Sequence, residues 1–244
     1  MIKGSVLWVV MVLAIVGSAP VSHGQEGCRL VLRDTGQILL KDAQGDLGTL
    51  ELNLHNSNWK YASQAEATAK CEEQAGGGKT FTGALMVPDV PGVSMSFLET
   101  ITPKDDGVHV IYELRPSAPL VLNGLQISLL LPTARFAGQR VAIRGQDTPE
   151  RSIQLPRVLD ADAWQLGTVR GNTVEIGTEE AATLALRTDK TSGLILHDLR
   201  RWDREEFEIR IPIVQADEGK MIGANERFDV EVVLGPGEFE VIGP

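Results

Sequence analysis

The chain of 244 residues carries 33 acidic against 23 basic side chains, a formal charge of −10. An acidic surface repels phosphate backbones and offers no counter-ion release, which argues against nucleic acid as a partner. Past the first residues no apolar run is long enough to cross a bilayer, so the body of the chain is not expected to span a membrane.

Residues 1–24 read as a secretory leader: Lys3, then the apolar run Val6 to Val16, then the small and polar stretch Gly17 to Gly24. Eleven apolar residues are too few for a membrane anchor, and Ser22 stands three positions before a cut after Gly24. Cleavage there leaves residues 25–244, expected as a single exported β-sandwich domain, periplasmic or extracellular. Cys28 and Cys71 both fall in the exported part. An even count in an oxidising compartment predicts a disulfide between them, worth about 4 kcal/mol by the chain-entropy model. Two unpaired thiols are the alternative. No Cys or His lies close to either, so the pair does not read as a metal site.

From there the chain reads as short strands. Leu50-Glu51-Leu52-Asn53-Leu54, Val108 to Leu114, Phe207 to Ile213 and Phe228 to Val232 place apolar residues at every second position, the period of a half-buried strand. Thr35-Gly36, Asp106-Gly107, Asn123-Gly124 and Gly171-Asn172 read as tight turns, with Asn123-Gly124 the strongest hairpin signal. Roughly fourteen strands result, mostly antiparallel. Ser63-Gln64-Ala65-Glu66 has the form of a capping box, and the Ala- and Glu-rich stretch to Gln74 predicts a helix that competes with a strand over residues 63–74. The expected fold is all-β, a large antiparallel double-sheet sandwich.

The chemistry is less explicit. Glu99 shares parity with Met95, Phe97 and Ile101 and so points inward, either as a ligand-binding or catalytic carboxylate or as a charge at a strand end or edge. His109 and Glu113 lie on one face of a strand, an acid and base pair or the wet side of an amphipathic strand. His55 follows a strand and sits beside Asn53, Asn56 and Asn58 in an expected polar loop. The densest patch is His197 to Glu206, where Trp202 is flanked by Arg200, Arg201 and Asp203; a flat apolar ring among charged groups suits a sugar. Trp59 with Tyr61, and Trp164 near Asp160 and Asp162, are further stacking candidates. Asp105-Asp106 reads as a turn rather than a metal site. No Gly-x-Ser-x-Gly elbow and no correctly spaced phosphate loop is present, and no cofactor is expected.

Phe81 to Pro88, Met95 to Pro103 and Val110 to Leu114 resemble the β-supersandwich domains of the galactose-mutarotase-like superfamily, which accompany bacterial polysaccharide-degrading enzymes. The segments around Leu199 to Trp202 and from Phe228 to Leu234 fit the same double sheet, so the resemblance covers about residues 45 to 240. It implies a fold and a link to carbohydrate. The Asn-His motif before a Phe-Asn-Leu segment that marks true mutarotases has no counterpart here, and no catalytic role passes to His109, His197 or Glu99. The expectation is an exported, non-catalytic protein that binds polysaccharide. A carbohydrate-active enzyme, epimerase or hydrolase, is the alternative, and a purely structural envelope component the third.

Overall fold

The computed structural model describes residues 28–177, 182–235 and 240–242; the leader expected at residues 1–24 lies outside them. Wherever apolar residues alternate, the chain is extended. The strands are β1 (Arg29–Leu32), β2 (Ile38–Asp42), β3 (Gly45–Asn56), β4 (Tyr61–Ser63), β5 (Thr68–Glu73), β6 (Lys79–Met86), β7 (Ser94–Lys104) and β8 (Gly107–Pro116). There follow β9 (Leu120–Pro132), β10 (Arg140–Gly145), β11 (Thr148–Gln154), β12 (Gln165–Gly177), β13 (Ala182–Asp198), β14 (Glu206–Ile222), β15 (Phe228–Gly235) and β16 (Glu240–Ile242).

These strands form one sheet whose path runs β16, β1, β2, β3, β9, β14, β13, β15, β8, β7, β6, β5; β4 adds to β3, and β12, β10 and β11 extend from β13. All of these pairs are antiparallel except β1 with β16. The long β13 belongs to both halves. Ala185 to Thr188 pair with β15, while Ile195 to Asp198 pair with β14. Between the two stretches its register against β12 jumps, Thr173 facing Arg187 and Gly171 facing Ser192. Extra residues on one strand of a ladder bend it, which lets β13 pass from one half to the other.

Curling brings the apolar sides of both halves into one core. Leu50, Leu52, Leu54, Ile127, Leu129, Leu196 and Ile209 come from one half; Phe81, Phe97, Ile101, Val110, Tyr112 and Val232 come from the other. Each fully buried side chain of this kind contributes about 1.5–3 kcal/mol, offset by the entropy of ordering the chain. The β1–β2 turn closes the curl, since a side chain added at Gly36 would run into Glu99 and Phe81.

Three local expectations are corrected. Asn123-Gly124 makes no hairpin and lies inside β9, where Gly124 faces His55 on one side and Gln215 on the other. Neither residue takes the positive φ that a type I′ turn demands. Gly124 instead admits close neighbours: a Cβ there would stand 3.0 Å from Gln126 and 3.1 Å from His55. Gly171-Asn172 likewise sits within β12, at its register shift. The helix contemplated over 63–74 is a single 3-10 turn, Gln64–Glu66. Ser63 does cap it, its hydroxyl accepting from the Ala65 amide at 3.1 Å, but pairing with β6 draws Thr68–Glu73 into a strand.

The disulfide is not formed. Cys28 lies at the start of β1, beside Lys41 and Asp42, and burial with the nearby Asp42 charge pushes its thiol up to about 11. Cys71 faces Phe81 in β5 and lies near Asp34, past the other end of β1. The two thiols belong to separate ladders, Cys28 at the head of the β1–β2 pair and Cys71 within the β5–β6 pair.

Candidate functional site

The strands that build the core have a second face. In β3, β9, β14 and β13 the residues alternating with the core leucines and isoleucines are Glu51, Asn53, His55, Gln126, Ser128, Glu208, Arg210 and His197. Register lines them up in rows: Asn53 beside Gln126, Glu51 beside Ser128 beside Arg210, and Glu208 beside His197. They point away from the apolar cluster, yet all except His55 are buried. The result is a recessed polar strip crossing four strands.

Its centre is an ion pair. Arg210 donates from Nη2 to Glu208 Oε2 at 2.8 Å, Ser128 donates to Oε1 at 2.6 Å, and His197 Nδ1 lies 3.3 Å from Oε2. Burial raises the Glu208 carboxyl, but His197, Arg210 and Ser128 together outweigh it and lower it to about 2. His55 also falls below its ordinary value: burial and the Arg210 charge bring it down to about 4, against the opposing pull of Glu208 and Gln126. At neutral pH the strip therefore holds an ionised Glu208 and a neutral His55.

Further along, Glu51 accepts from Gln37 at 2.6 Å and from Asn53 at 3.1 Å. The carbonyl oxygens of Asn53 and Gln126 are buried and receive no hydrogen bond. Unsatisfied acceptors on one surface are unusual in a folded protein and call for a donor from elsewhere.

Aromatic rings flank both ends. On one side the indole of Trp59 meets His55 edge-on at 5.6 Å, with Tyr61 at 6.2 Å from the same imidazole. On the other, Trp164 lies 4.9 Å from His197 and Trp202 meets Trp164 edge-on at 4.8 Å. Trp59 and Trp202 are 42% and 53% exposed, which leaves flat apolar surface open to solvent. Trp59 has φ +61°, and Asp89 in the neighbouring loop has φ +60°. A bulky residue in that left-handed region stores strain that persists only where its surroundings dictate it. Here Asn56 accepts from the Asn58 and Lys60 amides and donates to Pro88, while Lys60 pairs with Asp89. The two loops are thereby tied to one another.

The residues singled out from sequence fall into three groups. Trp202 and Trp59 arrive at opposite ends of the strip. Arg200 turns inward, with Nη2 2.6 Å from Asp198 and further bonds to the Pro156 and Arg157 carbonyls, and its guanidinium lies 5.2 Å over the Phe207 ring. Arg201 and Asp203 are exposed beside Trp202, with Asp203 at φ +59° ending the 3-10 turn Leu199–Trp202. Glu99 lies elsewhere, on the core side of β7. Gln64 donates to its Oε2 at 2.7 Å, while Oε1 and the facing Tyr112 hydroxyl meet no partner in good geometry. Burial pushes the Glu99 carboxyl up to about 8, against the weaker influence of Tyr112 and Gln64.

His109 and Glu113 belong to separate polar clusters. His109 lies 2.5 Å from Glu231 and 2.9 Å from Asp106, and Arg227 lies 2.9 Å from Glu113. Among the described residues no group of three His, Cys, Asp or Glu is arranged to hold a metal ion. Sequence reading passed over Glu51, Gln126, Ser128, Glu208 and Arg210, and placed Asn53 with His55 in a loop where the structure has strand β3. Their signal was present as the polar half of each alternation, but only strand order shows that these halves adjoin.

No family model matches the chain, and no curated protein matches it by sequence. Solved structures do match. A galactose mutarotase-like protein from Lactobacillus casei ATCC 334 aligns with TM-score 0.55 and 9% identity over 85% of this chain and 96% of that one. A galactose mutarotase related enzyme from Lactobacillus acidophilus aligns with TM-score 0.53 and 10% identity over 87% of this chain and 96% of that one. At such identities the likeness establishes the fold, which is that of the galactose mutarotase-like structures.

Proposed function

We propose that the protein is exported and binds carbohydrate along the polar strip between Trp59 and Trp202, without turning it over. The observation that carries this reading is the pairing of exposed indoles at both ends with unsatisfied acceptors between them. Sugar rings stack their C–H faces on aromatic rings, and their hydroxyls supply the donors that Asn53 and Gln126 lack. The fold supports it, since the neighbours in fold are described as galactose mutarotase-like or mutarotase-related. Export rests on the leader at residues 1–24, and N-terminal sequencing of the secreted material should begin at Gln25.

The protonation states favour binding over turnover. Acid–base chemistry on a sugar needs one group that gives a proton near neutral pH and another that takes it. Glu208 and His55 are both unprotonated there. The carboxyl that does titrate near neutrality, Glu99, faces the core. The test is a polysaccharide array with the purified mature chain. Binding to at least one neutral glycan is expected, weakened about tenfold in Trp202→Ala, as loss of one stacking contact of about 1.4 kcal/mol would do. A blank array would overturn the reading and favour a structural envelope role. Acceleration of anomer interconversion in polarimetry would overturn its non-catalytic part.

A further inference from the structure

Glu51 differs from every other buried charge on the strip. Glu208 and Arg210 neutralise one another, and Asp198 is matched by Arg200. Glu51 is 3% exposed, and its two hydrogen bonds come from the neutral amides of Gln37 and Asn53. No Lys, Arg or His nitrogen among the described residues lies within 4.0 Å of it. A buried carboxylate without a counter-ion is costly, and native structures rarely tolerate one. Asn53 sits two residues further along the same face, and its buried carbonyl oxygen also lacks a donor; Gln126, beside it on β9, repeats the pattern. The strip is thus short of positive charge and of N–H and O–H groups, and it has acceptors to spare.

We propose that the strip is selective for sugars bearing a free ammonium group, with Glu51 as the counter-ion. This rests on the carbohydrate reading given above and names its ligand class. An ammonium brings one positive charge and three donors, enough for Glu51 and for a neighbouring amide carbonyl at once. The half-buried Gln37, on the margin of the strip, yields its place as donor to Glu51. An N-acetylated sugar offers a single neutral N–H in that position. A uronate adds a second carboxylate, which Glu51 repels.

The experiment is calorimetric titration of the mature protein at pH 6 with tetrasaccharides of glucosamine, N-acetylglucosamine and galacturonate. The glucosamine oligomer is expected to bind at least tenfold more tightly than the N-acetylated one, and the galacturonate oligomer most weakly. Glu51→Gln should bring the glucosamine and N-acetylglucosamine affinities within about twofold of each other. Equal affinities in the unaltered protein would overturn the proposal, as would a preference that survives in Glu51→Gln. If the variant does not fold, the contrast between the two oligomers on the unaltered protein decides. Binding of neutral glycans that depends on Trp202 but shows no ammonium preference sinks this inference alone; no binding to any sugar sinks the carbohydrate reading with it.

Discussion

Glu99 and Glu208 are both carboxyls buried within β-strands, yet they lie on opposite sides of the sheet and at opposite ends of the titration range. Around Glu99 stand Phe81, Tyr112, Gln64 and the Gly36 turn, a neutral shell that cannot match a negative charge, so the proton stays on to about 8. Around Glu208 stand Arg210, His197 and Ser128, and the proton leaves at about 2. Removal from water is nearly equal in the two places. The contrast teaches that the partners available on each face, rather than depth, decide whether a buried acid is a charge or a neutral donor.

The largest test of that contrast is to remove the partner. Arg210→Met leaves Glu208 ionised without its cation and should cost about 4 kcal/mol in urea denaturation. The double variant Glu208→Gln with Arg210→Met should cost less than the sum of the single changes, the mark of a coupled pair. An additive result would mean that Arg210 does not hold the carboxylate.

Next comes pH. Glu99 keeps its proton in the folded state to about 8, while an exposed glutamate loses it near 4.3. Its contribution is therefore full below about pH 4.3 and is lost as pH rises towards 8. Glu208 runs in reverse, stabilising above that point and losing its contribution as pH falls towards 2. Glu99→Gln keeps an acceptor for Gln64 and removes the alkaline decline, so the variant should exceed the parent by about 4 kcal/mol at pH 8. Denaturation at pH 5, 6.5 and 8 measures it, and parallel curves would refute it.

The smallest effect on stability belongs to Trp59. Asn tolerates the left-handed backbone there, so Trp59→Asn relieves about 1 kcal/mol of strain while giving up the edge contact with His55. Stability should move by less than about 1 kcal/mol, whereas affinity for a bound glycan should fall about tenfold. A large loss of stability would show that Trp59 serves the fold instead.

Much of the body plan was legible in the sequence because alternation is a local property. Phe207 to Ile213 and Val108 to Leu114 need only their own period to be recognised as strands. The inward aim of Glu99 followed from the same parity. What local pattern could not reveal was adjacency. Glu51 on β3 and Arg210 on β14 are separated by most of the chain, and only their common neighbour Ser128 on β9 joins them into one surface. The same blindness produced the errors. Asn123-Gly124 has the chemistry of a turn, but ladders on both sides hold it straight, and Cys28 and Cys71 satisfy a parity count while separate strand pairs leave them unbridged.

The confinement of Asn123-Gly124 within β9 has a consequence for how the protein ages. In a pliant loop, the glycine's backbone nitrogen attacks the preceding asparagine's side-chain carbonyl, ammonia departs, and the succinimide opens to aspartate or isoaspartate. Here Asn123 is buried, and Gly124 is held between β3 and β14. That ring closure requires the strand to leave its ladders first, so this most deamidation-prone of dipeptides is shielded for as long as the sheet stays intact.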